Sequence, residues 1–325
     1  MQNLDFVAVG DTVVDDFIRL KDAASHCKID HEDCELCLRF GDKVPFESST
    51  IIYGVGNAAN AAVSAARLGL KAGFVTTFGK DLNGDKILAA HKAEGIDTTY
   101  EVQQEGAPTN YHYVLWYEDE RTILVNHFLY DYHFPADMPE PKIIYLSSLA
   151  AGTEVYHDQI ATYLEAHPNV FFCFQPGTFQ MKLGAERLKR LYQRANLFVV
   201  NKEEAQRILG LTETEDDVPM LMQRLHALGP KTVVVSDDRN GAYALDNGER
   251  IHLPMFKDIK PPTERTGAGD AFTATTCVFF ATGTPLKDAM FRGLINAAHV
   301  VQDIGAQRGL QSRASLEETV TRSPA

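Results

Sequence analysis

Short apolar runs alternate with stretches of helical periodicity along most of the chain, the pattern of a mostly parallel sheet covered on both faces. The runs predict strands at Asp5 to Gly10, Ala72 to Thr77, Lys142 to Ser147, Val170 to Phe174, Leu197 to Val200 and Thr232 to Ser236. Between them the spacing predicts helices at Asn57 to Leu68, Gly84 to Glu94, Thr153 to His167, Gln180 to Ala195, Glu203 to Leu209, Val218 to Leu228, Ala271 to Thr282 and Leu286 to Ile304. Two regions break the alternation. Residues 12 to 53 and 98 to 135 are richer in β-branched and aromatic residues at strand-like spacing, as in Thr109-Asn110-Tyr111-His112-Tyr113-Val114-Leu115-Trp116-Tyr117. The tail after about Ser312 reads as loosely ordered.

Composition narrows the class. A chain of 325 residues, 45% hydrophobic, can bury a sizeable core. Its formal net charge of -13 argues against a nucleic-acid surface, which needs clustered Lys and Arg. No apolar run approaches the roughly 20 residues that span a bilayer. Met1-Gln2-Asn3-Leu4-Asp5 lacks the basic start and apolar body of a signal peptide, so the expectation is a cytoplasmic enzyme with no membrane partner.

The chemistry concentrates at Thr266-Gly267-Ala268-Gly269-Asp270, which opens a predicted helix. Two glycines let backbone N–H groups approach an anion at the positive end of the helix, and Asp270 in the first turn can accept a proton from an attacking hydroxyl. A glycine-rich helix start with a capping acid is the plainer alternative. A second glycine motif lies far upstream, where Tyr53-Gly54-Val55-Gly56-Asn57-Ala58-Ala59-Asn60 runs into a small-residue helix closed by Gly69. A third is Asn201-Lys202-Glu203-Glu204, directly after an apolar strand.

Together with Gly73 to Gly79, Asp81, Gly84 and Glu94-Gly95-Ile96, the upstream motif resembles the first signature of the ribokinase-like, or PfkB, carbohydrate kinase family, and Gly267 to Asp270 is similar to the second. The Asn201 to Glu204 segment resembles the family's N-x-x-E element. The three stand in family order over roughly residues 4 to 310. The resemblance implies a ribokinase-like three-layer αβα domain with a mostly parallel central sheet, formed by residues 1–11, 54–97 and 136–325. It also implies a small β-sheet lid over the acceptor site, formed by 12–53 and 98–135, which in the family excludes water and often pairs with a second lid in a homodimer.

By the same resemblance, the activity implied is ATP-dependent transfer of the γ-phosphoryl group to a primary hydroxyl of a small sugar. A nucleoside acceptor, or a catalytically silent sugar or nucleotide sensor on this fold, is the alternative. Asp270 matches the base, and Gly267, Ala268 and Gly269 match the anion hole. Asp15 matches the acid that binds sugar hydroxyls, with Asp11 and Asp16 competing for the role; Gly56 and Asn60 complete the acceptor side, and Val55 replaces a common glycine. For the nucleotide, Asn201 and Glu204 match residues that organise magnesium through water, Ser236 and Gly241 lie in the turn beside ATP, and Asn296 matches a position near the base. Glu264 stands where the family usually has an Asp that helps hold a monovalent cation, which leaves potassium open, while Arg265 can lend charge to the phosphates.

Two features lie outside the signatures. Cys27-x3-His31-x2-Cys34-x2-Cys37 offers four soft ligands, enough for a tetrahedral structural zinc; reduced thiols or a reversible disulfide are the alternatives. Among the aromatics of the two β-rich regions, Phe40, Phe46, Trp116 and Tyr117 are expected mostly in the lid core, with His112 or Tyr113 a candidate to face the acceptor.

Overall fold

The computed structural model describes residues 3–21, 23–26, 35–117, 120–212 and 214–323. In chain order the elements are β1 (Phe6–Val9), β2 (Val13–Leu20), β3 (Ala24–His26), β4 (Glu35–Cys37), β5 (Phe46–Val55), α1 (Asn57–Arg67), β6 (Ala72–Gly79), α2 (Leu82–Ala93), β7 (Glu101–Gln104), β8 (Tyr111–Tyr117) and β9 (Glu120–Leu124). They continue with β10 (Ile143–Leu146), α3 (Glu154–Ala166), β11 (Phe171–Phe174), α4 (Thr178–Leu183), α5 (Lys189–Arg194), β12 (Leu197–Asn201), α6 (Lys202–Leu209), α7 (Val218–His226) and β13 (Thr232–Ser236). Last come β14 (Ala242–Asp246), β15 (Glu249–Leu253), α8 (Ala268–Ala281), α9 (Leu286–Val300) and α10 (Arg313–Arg322).

Among the described residues the large sheet has the order β15-β14-β13-β12-β11-β10-β1-β6-β7 and is parallel from β13 to β7, with an antiparallel edge at β14 and β15. Its strands alternate between two cores. Phe6 and Ala8 of β1 point into the core under α1, α8 and α9, whereas Val7 and Val9 point into the core under α3, α5 and α7. Both faces are buried, which is why these strands read as continuous apolar runs. On the first face α1 packs through Ala58, Ala59, Ala61, Ala62 and Ala65, side chains small enough to bring its axis close to the sheet and to α8. A separate four-stranded sheet, β5-β2-β8-β9, stands beside the carboxyl ends of the large sheet's strands, and β3 and β4 form a two-stranded extension.

Several boundaries differ from expectation. The helix expected over Gln180 to Ala195 is two helices, because Gly184 closes α4 with φ 84. The tail expected to be loose forms α10: the Ser312 hydroxyl caps it, Leu316 is fully buried against α8 and α9, and Arg292 grips Glu317 through two bonds of 2.8 Å. Residues 98–135 are not all lid, since β7 pairs with β6 at the edge of the large sheet, and Phe134 sits in the core against Tyr163 of α3. Trp116 is buried with the Arg19 guanidinium 4.6 Å over its ring, but Phe40 and Phe46 are exposed rather than lid core. Cys27, His31 and Cys34 lie outside the described residues; Cys37 is a half-buried free thiol on β4.

Candidate active site

The carboxyl ends of β1, β11, β12 and β13, the start of α1, the start of α8 and the inner face of the lid enclose one cavity of about 540 Å³. Ligands bind in such a crevice of an open α/β sheet because the chain must leave each strand there in a loop. The cavity brings together Asp15, Gly56, Asn60, Asn201, Glu204, Ser236, Gly267, Gly269 and Asp270 from segments scattered along the chain.

Asp270 sits in the first turn of α8, and both its oxygens accept hydrogen bonds. Oδ1 accepts from Asn57 Nδ2 (3.0 Å) and Gln175 Nε2 (3.3 Å), and Oδ2 accepts from Asn60 Nδ2 (2.8 Å). Two of these amides are pinned from behind. Gln307 donates to Asn60 Oδ1 at 3.0 Å, and the Tyr145 hydroxyl donates to Gln175 Oε1, so each amide must turn its NH₂ toward Asp270. Burial pushes the Asp270 carboxyl above its ordinary range, and the three amide donors pull the other way.

Gly267 precedes α8 with φ 83, and a Cβ there would stand 2.3 Å from the Cβ of Ala306, so only glycine fits. The Ala268 N–H is already bonded to Arg265 O (3.4 Å), and Ala268 does not line the cavity. The N–H groups left for an anion are therefore those of Gly267, Gly269 and Asp270, the last two being first-turn groups with no partner within the helix.

Asn201 and Glu204 form a reciprocal cap of α6: Asn201 Oδ1 accepts from Glu204 N (2.7 Å), and Glu204 Oε2 accepts from Asn201 N (2.9 Å). The pair thus caps the helix and lines the cavity at once. Burial raises the Glu204 carboxyl above its usual range, its cap bond opposes this, and the charge of Asp270 adds to it. Among the described residues, no group of three or more His, Cys, Asp or Glu side chains is arranged to hold a metal ion directly.

Glu264 is 2% exposed and points away from the cavity. Its Oε2 accepts from Thr266 N (2.6 Å) and its Oε1 from Gly305 N (2.8 Å), tying the loop before α8 to the loop after α9. Asn296 and Gly241 do not line the cavity. Asn296 is fully buried with its amide spent on Thr275 Oγ1 (2.8 Å) and Gln311 N (2.9 Å), so it is not free to read a base; Gly241, with φ 90, lets its turn pass against Leu253 and Met255.

Residues that sequence reasoning missed complete the site. Asn57 lay inside a motif already singled out, and Gln175 at a strand's carboxyl end carried the signal used for Asp15. Arg121 faces inward on β9 opposite Trp116, lines the cavity with its Nε buried and without a hydrogen-bond partner, and lowers the Asp270 carboxyl through its charge. On the acceptor side His112 Nδ1 lies 3.3 Å from Asp15 Oδ1, His127 Nδ1 lies 3.4 Å from Asp11 Oδ2, and the two rings meet Nε2 to Nε2 at 3.0 Å. Of the two lid residues expected near an acceptor, His112 lines the cavity and Tyr113 is exposed on the outer face.

A buried carboxylate and free helix N–H groups in one cavity, with a second carboxylate across it, define a phosphotransferase acting on an alcohol. Residues 23–313 match the model of the pfkB family carbohydrate kinases, and the chain belongs to that family. It is 25% identical over 277 residues to the ribokinase of Bacillus subtilis, covering 82% of this chain and 87% of that one. It is 24% identical over 272 residues to a nucleoside kinase of Methanocaldococcus jannaschii, covering 82% and 85%. The fold superposes on Arabidopsis thaliana ribokinase, solved with ribose and ATP, with a TM-score of 0.77 at 20% identity over 98% of both chains.

Proposed function

We propose that this kinase transfers the γ-phosphoryl group of ATP to a primary hydroxyl of a small sugar. The observation that carries the proposal is Asp270 at the head of α8, held by amides that are themselves pinned, in the same cavity as Asp15 and Glu204. Asp270 takes the proton of the attacking hydroxyl, and the N–H groups of Gly267, Gly269 and Asp270 hold the charge that develops on the phosphoryl oxygens. Asp15, Gly56 and Asn60 seat the acceptor, Ser236 borders the nucleotide, and Arg265 and Lys182 lend positive charge to its phosphates. A silent sensor would not need a base so closely positioned.

Magnesium fits Asn201 and Glu204 through water, because the half-buried Glu204 carboxylate lines the same cavity as Asp270 and a cation offsets both charges. When bound, the ion supplies electrostatic stabilisation of the transferring group. Glu264 spends one hydrogen bond per oxygen on backbone N–H groups and so ties its two loops without an ion, which supports turnover that does not need potassium.

A nucleoside acceptor is the second reading, favoured by the apolar wall of Ile123, Val125 and Phe179 in the cavity, against which a base could lie flat. A coupled ADP-release screen over pentoses, hexoses, deoxy sugar acids and nucleosides separates the two, and no turnover with any of them would remove both. Asp15→Ala should raise the acceptor KM far more than the ATP KM; equal effects would take Asp15 out of the acceptor site.

Three further parts belong to the same proposal. Ile51, Tyr113 and Leu124 are exposed on the lid, which supports a homodimer through this sheet, checked by light scattering of the wild type against Tyr113→Lys. Among the described residues no helix is long and apolar enough to cross a membrane, and we place the enzyme in the cytoplasm, where ATP is available; fractionation tests this. The spacing of Cys27, His31, Cys34 and Cys37 supports a structural zinc that braces the lid. Metal analysis of protein purified without added zinc should then find close to one equivalent, and freely titrating thiols without zinc would rule it out.

A further inference from the structure

Asp11 stands on the loop after β1 and is 4% exposed, yet only one of its oxygens is satisfied. Oδ1 accepts from the Tyr132 hydroxyl at 2.6 Å, while Oδ2 is buried, has no hydrogen-bond partner, and belongs to a side chain that lines the cavity. Asp15, 8% exposed, repeats the pattern with Oδ1 unpartnered. A buried carboxylate oxygen without a donor is costly, so two of them, on side chains that both line one cavity, point to where ligand donors go once the side chains turn to meet them.

The neighbouring histidines do not fill these places. Phe128 N donates to Asn110 Oδ1 at 2.7 Å, which turns the Asn110 NH₂ toward His127 Nδ1 at 3.5 Å. In the neutral ring His127 then accepts at Nδ1 from Asn110, and although Asp11 Oδ2 is 3.4 Å from that atom, no hydrogen bond joins them. That tautomer puts the proton on Nε2, toward His112 Nε2 3.0 Å away, and the His112 proton on Nδ1, which lies beside Asp15 Oδ1 but without hydrogen-bond alignment. Asn110, His127 and His112 form a directed chain that fixes both rings and leaves Asp11 Oδ2 without a donor.

Building on the proposed sugar or nucleoside kinase, we infer that Asp11 is a second acceptor-binding carboxylate, and that the acceptor donates one hydroxyl to Asp11 and another to Asp15 besides the hydroxyl that is phosphorylated. The acceptor is thus a polyol at this end. Two carboxylates reject a carboxylate or phosphate group there, and a free sugar and the ribose of a nucleoside share the required hydroxyls.

The test is a cycle between Asp11→Asn and single hydroxyls, using ribose, fructose and cytidine with their monodeoxy analogues. Removing the hydroxyl held by Asp11 should lower wild-type kcat/KM about tenfold or more, as for a hydrogen bond to a charged group. Asp11→Asn should lose a similar factor on the parent acceptor through KM, keep its ATP KM, and lose nothing further on that one analogue. Losses that multiply for every analogue, or an unchanged acceptor KM, overturn the inference while leaving the kinase reading intact. No wild-type turnover of any parent removes the reading and the inference together. Should Asp11→Asn not fold, Tyr132→Phe frees Asp11 to rotate and should raise the acceptor KM alone; an unchanged KM overturns the inference equally.

Discussion

Gln307 donates a hydrogen bond from Nε2 to Asn60 Oδ1 at 3.0 Å, and this contact decides which end of the Asn60 amide meets Asp270. The same nitrogen reaches Gly54 O at 2.9 Å, and Arg67 holds the Gln307 carbonyl at 2.6 Å. The loop after α9 therefore positions the Asp270 carboxylate without Gln307 lining the cavity. Gln307→Leu should leave Asn60 free to turn its oxygen toward Asp270, weakening a charge-assisted bond and lowering kcat by about tenfold. The ATP KM should stay within error. A variant with wild-type kcat and an unchanged pH profile would leave Gln307 a purely structural tie.

Asp270→Asn should lower turnover at least about a hundredfold, the scale of a lost general base. ATP binding should survive, since the anion hole is backbone. The base works only when ionised, and burial raises its pKa, so the acid limb of kcat/KM should lie above the ordinary carboxylate range. The sign for stability is opposite. With its folded pKa above the unfolded value, Asp270 favours folding below the unfolded pKa, and this contribution fades as pH rises through the folded one. Activity and stability should diverge across that window. A wild-type acid limb at or below the usual range would remove Asp270 as the base.

Glu264 gives each of its oxygens to a backbone N–H group, at 2.6 Å and 2.8 Å, and so ties these loops together without an ion. Exchanging potassium for sodium at constant ionic strength should change turnover by less than about twofold, because no step depends on the ion. Glu264→Gln replaces one acceptor with a donor and leaves a buried N–H unpaired, at about 1–3 kcal/mol, so its melting temperature should fall. Strong potassium activation of the wild type would contradict this account.

What the sequence made legible follows from how local each signal is. Asp270 was readable because the glycines, the helix start and the acid are adjacent, and Asp15 because it follows a strand of clear apolar character. Glu204 was readable three residues after Asn201, as a helix cap. Gln307 and His127 were not, since each acts through a partner elsewhere in the sequence and neither belongs to a local pattern. Asn296 shows the reverse case: a local motif drew attention to it, while in the structure its amide is spent on Thr275 and Gln311. The exposed Phe40 and Phe46 show that aromatic content alone does not say which face of a small sheet is covered.

The last helix, α10, separates packing from charge. Leu316 is fully buried in the core it shares with α8 and α9, whereas the Arg292 to Glu317 pair is partly solvated, with side chains 15% and 40% exposed. Leu316→Ala removes buried apolar contact and leaves a cavity, costing about 2–5 kcal/mol. Glu317→Ala removes a pair worth about 0–1 kcal/mol at such exposure. The first variant should therefore lower the melting temperature by several degrees and the second barely. The Arg292 guanidinium holds the Glu317 carboxyl below its ordinary value, so its small contribution is present above the unfolded pKa and lost as pH falls through the folded one. At neutral pH the ranking should hold, and at acid pH Glu317→Ala should melt like the wild type. If the two variants were equally destabilised at neutral pH, the ion pair rather than the buried leucine would be what docks α10.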